Sequence, residues 1–269
     1  MALIDHVNHL SVAIGPRGST TENERKAAEY VRRQLETLEI PAAIEEFKAL
    51  STYSWLYVAI YAHFLAAALL MWAWPAAGAV LCALGFFFYV TENSTIEILG
   101  RLFPKRTSWN VIGQLRPEKP TDNTVVISAH IDSSKSALFF NPALVKGFRN
   151  TFVSTIATML GIFGLCMAAA VTGSKLFFWI GLPLAAYIAV TILLLAHREA
   201  FGRHTPGAAD NASGVAAMLG AAEKIAKEQP SDAEIIFVGT GAEETGLYGM
   251  VDFVKRSKFD RKKTIFINI

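Results

Sequence analysis

The sequence predicts an α/β domain, with a mixed, largely parallel central sheet flanked by helices, into which two transmembrane helical hairpins are inserted. Three observations predict it. Short β-rich apolar runs alternate with segments of helical period in the polar parts of the chain. Two long stretches are almost free of charge. Residues able to do chemistry cluster just beyond the β-rich runs, where open α/β sheets bind ligands.

The uncharged stretches explain the composition. Of 269 residues, 52% are hydrophobic and 18% charged, and mean hydropathy is +0.35. A soluble domain carries about 25% charge. Residues 53–91 contain no Asp, Glu, Lys or Arg, and residues 150–196 contain only Lys175. A single helix through the first stretch would be about 58 Å long, against a hydrocarbon core of about 30 Å, so two crossings are expected. The break is expected at residues 74–78, where Pro75 and Gly78 punctuate the pattern. Trp55, Tyr57, Trp72, Trp74 and Tyr89 stand where interfacial aromatics belong. The second stretch divides at Gly173-Ser174-Lys175 into spans 152–172 and 176–196, with Pro183 expected to kink the latter. Two buried hairpins in a large soluble core are the competing reading, disfavoured because uncharged runs of this length are rare outside membranes.

Positive charge flanks the spans on one side: Arg17, Arg25, Lys26, Arg32, Arg33 and Lys48 before them, Arg101, Lys105 and Arg106 between them, Arg198 and Arg203 after them. The positive-inside rule then places all polar segments in the cytoplasm and both tight turns outside, an integral membrane protein with four spans. The composition excludes disorder and disulfide scaffolds, and the net charge of +2 gives no reason to expect a nucleic-acid partner. Cys82 and Cys166 lie inside the apolar stretches and read as small buried hydrophobes. The first 18 residues lack the pattern of a cleavable signal peptide.

The domain is therefore expected in three pieces, residues 1–53, 92–150 and 198–269, around hairpins at 54–91 and 151–197. Thr21-Glu22-Asn23-Glu24 matches a capping box, and Ala27, Tyr30, Val31, Leu35 and Leu38 share one face of a helix ending before Pro41. Residues 110–115 read as a short strand and TVVISAHI (124–131) as a buried one. Residues 213–227 form an amphipathic helix ended by Pro230; 233–238 and 264–269 read as two further strands.

His130-Ile131-Asp132, Asp210-Asn211 and Glu243-Glu244 sit at these strand and helix ends. One His with several carboxylates is an N/O donor set suited to Zn²⁺, with Mn²⁺ or Co²⁺ as alternatives. Adjacent glutamates point in different directions, so one can hold metal while the other handles a proton. Alone, each piece is weak: His130 could be a strand-end histidine and the glutamates a solvated surface.

Taken in order, the stretches IGPRGSTTENERKAAEYVRRQLETL, NVIGQL, VVISAHIDSS, PGAADNASGVAAMLGAAEKI, FVGTGAEETGLYGM and TIFINI resemble metallopeptidase family 28, the co-catalytic di-zinc aminopeptidases and their carboxypeptidase relatives. The resemblance implies the zinc exopeptidase fold and two zinc ions per site in the complete protein. It implies that His130 binds the first, Asp210 bridges both, Glu244 binds the second, Asp132 orients the His130 imidazole and Glu243 acts as general base, then acid. It further implies that Gly207 and Gly214 let the loop approach the metals. The family pattern also has a carboxylate after the strand that TIFINI begins and a His later on; the chain stops before both, which reads as truncation. His197 and His204 match no family ligand, and His204 is expected at the surface or near the site entrance.

The function so implied is a membrane-anchored zinc exopeptidase, an aminopeptidase acting on peptides, with its site held close to the bilayer surface. Alternatives are a non-catalytic receptor or scaffold on the same fold, a single-zinc acyltransferase like the glutaminyl cyclases, and a transporter with a soluble domain. The last is opposed by spans without Asp, Glu, Lys or Arg beyond the turn lysine.

Overall fold

A computed structural model describes residues 2–117, 121–141, 143, 146–228 and 232–269. The chain divides into an α/β unit (Met1–Thr52, Pro104–Lys135, His204–Ile269) and a helical unit (Tyr53–Phe103, Ser136–Arg203). Residues 53, 92–103, 136–150 and 198–203, expected with the α/β domain, fall in the helical unit.

In the α/β unit the elements are α1 (Leu3–Asn8), continued by a π-helical turn (His9–Ile14), α2 (Glu22–Thr37), β1 (Ala42–Leu50), β2 (Lys105–Leu115) and β3 (Thr124–His130). The helical unit contributes α3 (Ser54–Leu70), α4 (Pro75–Asn93), α5 (Phe148–Thr172) and α6 (Leu176–Phe201). The α/β unit closes with α7 (Ser213–Glu228), β4 (Glu234–Thr240), α8 (Tyr248–Arg256) and β5 (Thr264–Asn268).

The five strands form one mixed sheet in the order β1-β2-β4-β3-β5. The β1–β2 and β2–β4 pairings are antiparallel; β4–β3 and β3–β5 are parallel. One face packs on α1, α2 and α7 through Leu10, Val31, Leu35, Ile127, Met218 and Phe237. The other packs on α8 through Val126, Ile236, Val238 and Phe253. β3 and β4 are covered on both faces, which is why they read as continuous apolar runs. β1 shows no such run: Glu45, half-buried, and Glu46, exposed, sit in its middle at the sheet edge.

These folds settle what the site can be. β3 and β4 lie side by side and parallel, with His130 opposite Thr240 at their carboxyl ends. Within the α/β unit the next helix after β3 is α7, which packs on one face, and the next after β4 is α8, on the other. Chains leaving adjacent strand ends toward opposite faces open a crevice between them.

In the helical unit α4, α5 and α6 have 19, 25 and 26 residues and are long and apolar enough to cross a membrane. α3, the fourth expected span, has 17 residues and is apolar but shorter. Pro75 begins α4, as a proline at a helix start should. Gly78 does not break the chain as expected. It lies inside α4, where an added Cβ would sit 2.8 Å from the Ala67 carbonyl oxygen of α3 and 3.0 Å from Cys166 Sγ of α5. Its role is close helix approach, the common use of small residues in apolar bundles. Pro183 stands within a continuous α6. Arg198, expected only as a flanking charge, is buried, bonded to Ser54 Oγ at 2.8 Å and stacked over the Tyr53 ring at 4.3 Å.

The other expected elements lie close to their observed bounds. The strand expected at 110–115 extends back to Lys105 because its first half pairs with β1. Pro230, expected to end α7, lies outside the described residues.

Candidate metal centre

The mouth of the crevice is built by three loops. The first is the end of β3. His130 Nε2 lies 3.0 Å from Asp210 Oδ1 and 3.9 Å from Glu243 Oε2, while its Nδ1 faces Asp132 Oδ1 at 3.4 Å. Nε2 is thus the nitrogen turned toward the carboxylates. Burial alone would lower the His130 pKa, but the hydrogen bond and charge of Asp132, with Glu243 and Asp210 adding, outweigh it and push it up to about 9.

Asp132 is fully buried and saturated with donors. Ser19 Oγ donates to its Oδ2 at 2.6 Å, and the Glu243 and Glu244 backbone N–H groups donate to its two oxygens at 3.2 Å each. One carboxylate therefore orients the imidazole and also fixes the backbone of both glutamates. Buried carboxylates survive in a core only when so bonded.

The second loop precedes α7. Gly207 has φ +58°, and a Cβ there would come within 2.6 Å of the Asp210 carbonyl oxygen and of Ser133 Cβ. A Cβ at Gly214 would strike the Asn211 side chain. Both glycines are thus required by close approach. Asp210 is 75% exposed at its side chain, and the peptide that follows it is cis.

The third loop follows β4. Asn110 holds both its ends: Gly241 N–H donates to Asn110 Oδ1 at 3.1 Å, and Asn110 Nδ2 donates to the Gly249 carbonyl at 2.8 Å. Ala242, at φ +48°, donates its N–H to Glu24 Oε1 at 2.8 Å. Burial raises the Glu243 carboxyl above its ordinary range, and pushes Glu244 up to about 7 despite a hydrogen bond from Ser134.

His130, Asp210 and Glu244 each offer a ligand atom, and these atoms lie within 4.8 Å of one another. Glu244 Oε1 is buried and has no hydrogen-bond partner among the described residues. An orphaned carboxylate oxygen facing an imidazole and a second carboxylate, with Asp132 behind the imidazole, fits a divalent cation of the N/O-binding class.

The sequence pattern missed two residues. Glu24 was expected to close a capping box on α2. Thr21 does cap, accepting from Glu24 N–H at 3.4 Å, but the Glu24 carboxylate turns away. It accepts from Thr20 N–H (2.7 Å), Ser108 Oγ (2.9 Å) and Ala242 N–H instead. Its burial raises its pKa strongly, with repulsion from Asp132 contributing. The second is Arg17, a buried cation in the loop before α2. Nothing local in the sequence marks either role, because the partners that tie them to the site, Ile131, Pro206 and Gly207 for Arg17 and Ser108 and Ala242 for Glu24, lie far along the chain.

His204 is half-buried with its ring packed over Gly18, where any Cβ would clash. His197 stands on α6 with its ring 4.9 Å from that of Phe201.

The model of peptidase family M28 matches residues 183–269. No curated protein matches the chain significantly. Among solved structures, an aminopeptidase from Aneurinibacillus sp. strain AM-1 superposes with a TM-score of 0.51 at 15% identity, over 99% of this chain and 68% of that one. BSAP, a zinc aminopeptidase from Bacillus subtilis, gives 0.49 at 15% identity, over 99% and 67%. A Tannerella forsythia glutaminyl cyclase gives 0.45 at 17% identity, over 91% and 47%. Identities this low speak to the fold.

Proposed function

We propose that the chain, whose residues 183–269 match the model of peptidase family M28, is a membrane-anchored, zinc-dependent exopeptidase with aminopeptidase specificity. The observation that carries the reading is the convergence of His130, Asp210 and Glu244 at the carboxyl ends of β3 and β4, with Asp132 behind the imidazole.

In this reading His130, Asp210 and Glu244 would hold zinc. Zinc bound there lowers the pKa of water and polarises the scissile carbonyl. Asp132, 3.4 Å behind Nδ1, would leave Nε2 as the ligand atom. Glu243, whose Oε2 faces the same space and whose pKa is raised by burial, takes the proton of the attacking water and returns it to the leaving amine. Acidic side chains around the site favour a substrate's α-ammonium over an α-carboxylate, which supports an aminopeptidase over a carboxypeptidase.

Membrane anchoring rests on the three long apolar helices, and we count α3 as a fourth span. The positive flanks support a cytoplasmic α/β unit. Protease protection in sealed vesicles tests that orientation.

The activity is tested on the detergent-solubilised protein with aminoacyl-4-nitroanilides and with a peptide bearing N-terminal Gln. Release of the N-terminal residue, lost to a chelator and restored by zinc, is expected. Glu243→Gln should lower kcat about 10²–10⁴-fold while zinc content, by elemental analysis, stays unchanged. Cyclisation of the Gln peptide without hydrolysis would transfer the reading to the cyclases. Zinc binding without either reaction would favour the scaffold reading.

A further inference from the structure

Arg17 is 1% exposed, and among the described residues no ion pair of its guanidinium with a carboxylate is seen. It donates instead to five backbone carbonyls: Nε to Ile131 (2.9 Å), Nη1 to Leu10 (2.7 Å), Gly15 (3.1 Å) and Pro206 (2.7 Å), and Nη2 to Gly207 (3.0 Å). These belong to three chain segments: the N-terminal loop, the residue directly after His130, and the turn leading to Asp210. Ser133 doubles the tie. Its Oγ accepts from Arg17 N–H at 3.0 Å and donates to the Thr205 carbonyl at 2.7 Å, and its N–H donates to the Arg17 carbonyl at 3.0 Å.

Only arginine carries five N–H donors in a planar fork, so no other side chain can span these acceptors. Burying a guanidinium is costly, and a neutral residue would suffice if the loops needed only packing. What a cation adds is attraction for the carboxylates gathered at this site, of which Asp132 is the one whose charge acts on Arg17. Burial lowers the Arg17 pKa to about 10, partly offset by Asp132, so it stays charged at neutral pH.

We infer that Arg17 is a positioning residue for the metal centre: it sets the spacing between the backbone that presents His130 and the backbone that presents Asp210. It touches neither metal nor substrate. The inference rests on the zinc reading of this site.

The test compares Arg17→Met and Arg17→Lys with Leu35→Ala in the whole protein. Leu35 is fully buried under the sheet and serves as a stability control. Metal affinity is read by competition with a chromophoric chelator, and ligand geometry by the visible spectrum of the Co²⁺ form. Arg17→Met should weaken metal binding about 10–100-fold and shift the Co²⁺ bands. Arg17→Lys, which keeps the charge but not the fork, should weaken it less and still shift the bands. Leu35→Ala should lower the melting temperature and leave affinity and bands unchanged. If Arg17→Met does not fold, Arg17→Lys decides. Wild-type affinity and spectrum in the folded Arg17 variants, or equal weakening in Leu35→Ala, overturns the role of Arg17 alone. A wild-type protein that binds no metal overturns the zinc reading itself.

Discussion

Metal binding at this site must compete with protons, and the size of that competition follows from two groups. His130, at about 9, is almost fully protonated at pH 7, and Glu244, at about 7, is half protonated. Both must be deprotonated to act as ligands, so binding at pH 7 should release about 1.5 protons. The count should be about 1.9 at pH 6 and about 1.0 at pH 8. Integrated over that window, intrinsic affinity rises roughly 10³-fold from pH 6 to pH 8. Calorimetric titration with Cd²⁺ in buffers of different protonation enthalpy measures the count, since water on Cd²⁺ stays un-ionised in this range. Zinc should release more, by the ionisation of its own water. The metal-free protein should show the opposite trend. The folded-state pKa of His130 is raised, so its contribution to stability is full below 6.5 and lost as pH rises through about 9. Glu244 is raised too, so the metal-free fold is favoured while it is protonated and loses that advantage as pH rises from 4.5 through about 7. A Cd²⁺ proton count near zero at pH 7, or one that rises with pH, would refute His130 and Glu244 as the ligands.

Asp132→Asn should weaken metal binding about 10–100-fold, because the amide cannot accept all the donors that hold His130 and the two glutamates; chelator competition reads it. Glu24→Ala should strand the buried Ala242 and Thr20 N–H groups, at about 1–3 kcal/mol for each left unsatisfied, seen as a lower midpoint in chemical denaturation of the α/β unit. Gly78→Leu should force α3 and α4 apart and lower the thermal midpoint of the helical unit, with overpacking costing about 1–3 kcal/mol.

What the sequence made legible follows from where each interaction lies. β3 and β4 were readable because both faces are covered and their runs are unbroken by charge. His130, Asp210 and Glu244 stood out because strand ends in α/β sheets carry chemistry and the motif spacing is specific, and the structure brings their ligand atoms within 4.8 Å of one another. β1 escaped because an edge strand with Glu45 and Glu46 has no apolar alternation to detect. α8 escaped because it is only nine residues long and its start is set by Leu247 at φ +60°, not by a capping side chain. Arg17 counted as a flanking charge and Glu24 as a cap because, beside a few local bonds, each holds partners far along the chain, up to 190 residues away for Arg17 and 218 for Glu24. Local patterns report local bonds; these two residues are defined by distant ones.

The same distinction explains how an α/β fold accepts two long helical insertions. Each leaves and re-enters the α/β unit at residues already paired with each other. Leu50 and Lys105 are register partners at the end of the β1–β2 ladder, so residues 53–103 replace a hairpin turn. Lys135 and His204 form an isolated bridge, reinforced by Thr205 N–H donating to the Ser134 carbonyl at 2.8 Å, so residues 136–203 also return to their point of departure. The α/β unit meets both insertions as closed loops, and closure costs only about 0.6 kcal/mol per doubling of loop length. Replacing 51–104 with a two-residue Asn-Gly turn, which suits an antiparallel ladder, should therefore leave the affinity of the metal centre within about twofold, since among the described residues the bonds given above for His130, Asp132, Asp210 and Glu244 run to no residue of that insertion. The comparison is made by chelator competition on the deleted and intact proteins. A loss of tenfold or more with the ladder still formed would show that the helical unit shapes the site, and the description of two independently closed loops would have to be abandoned.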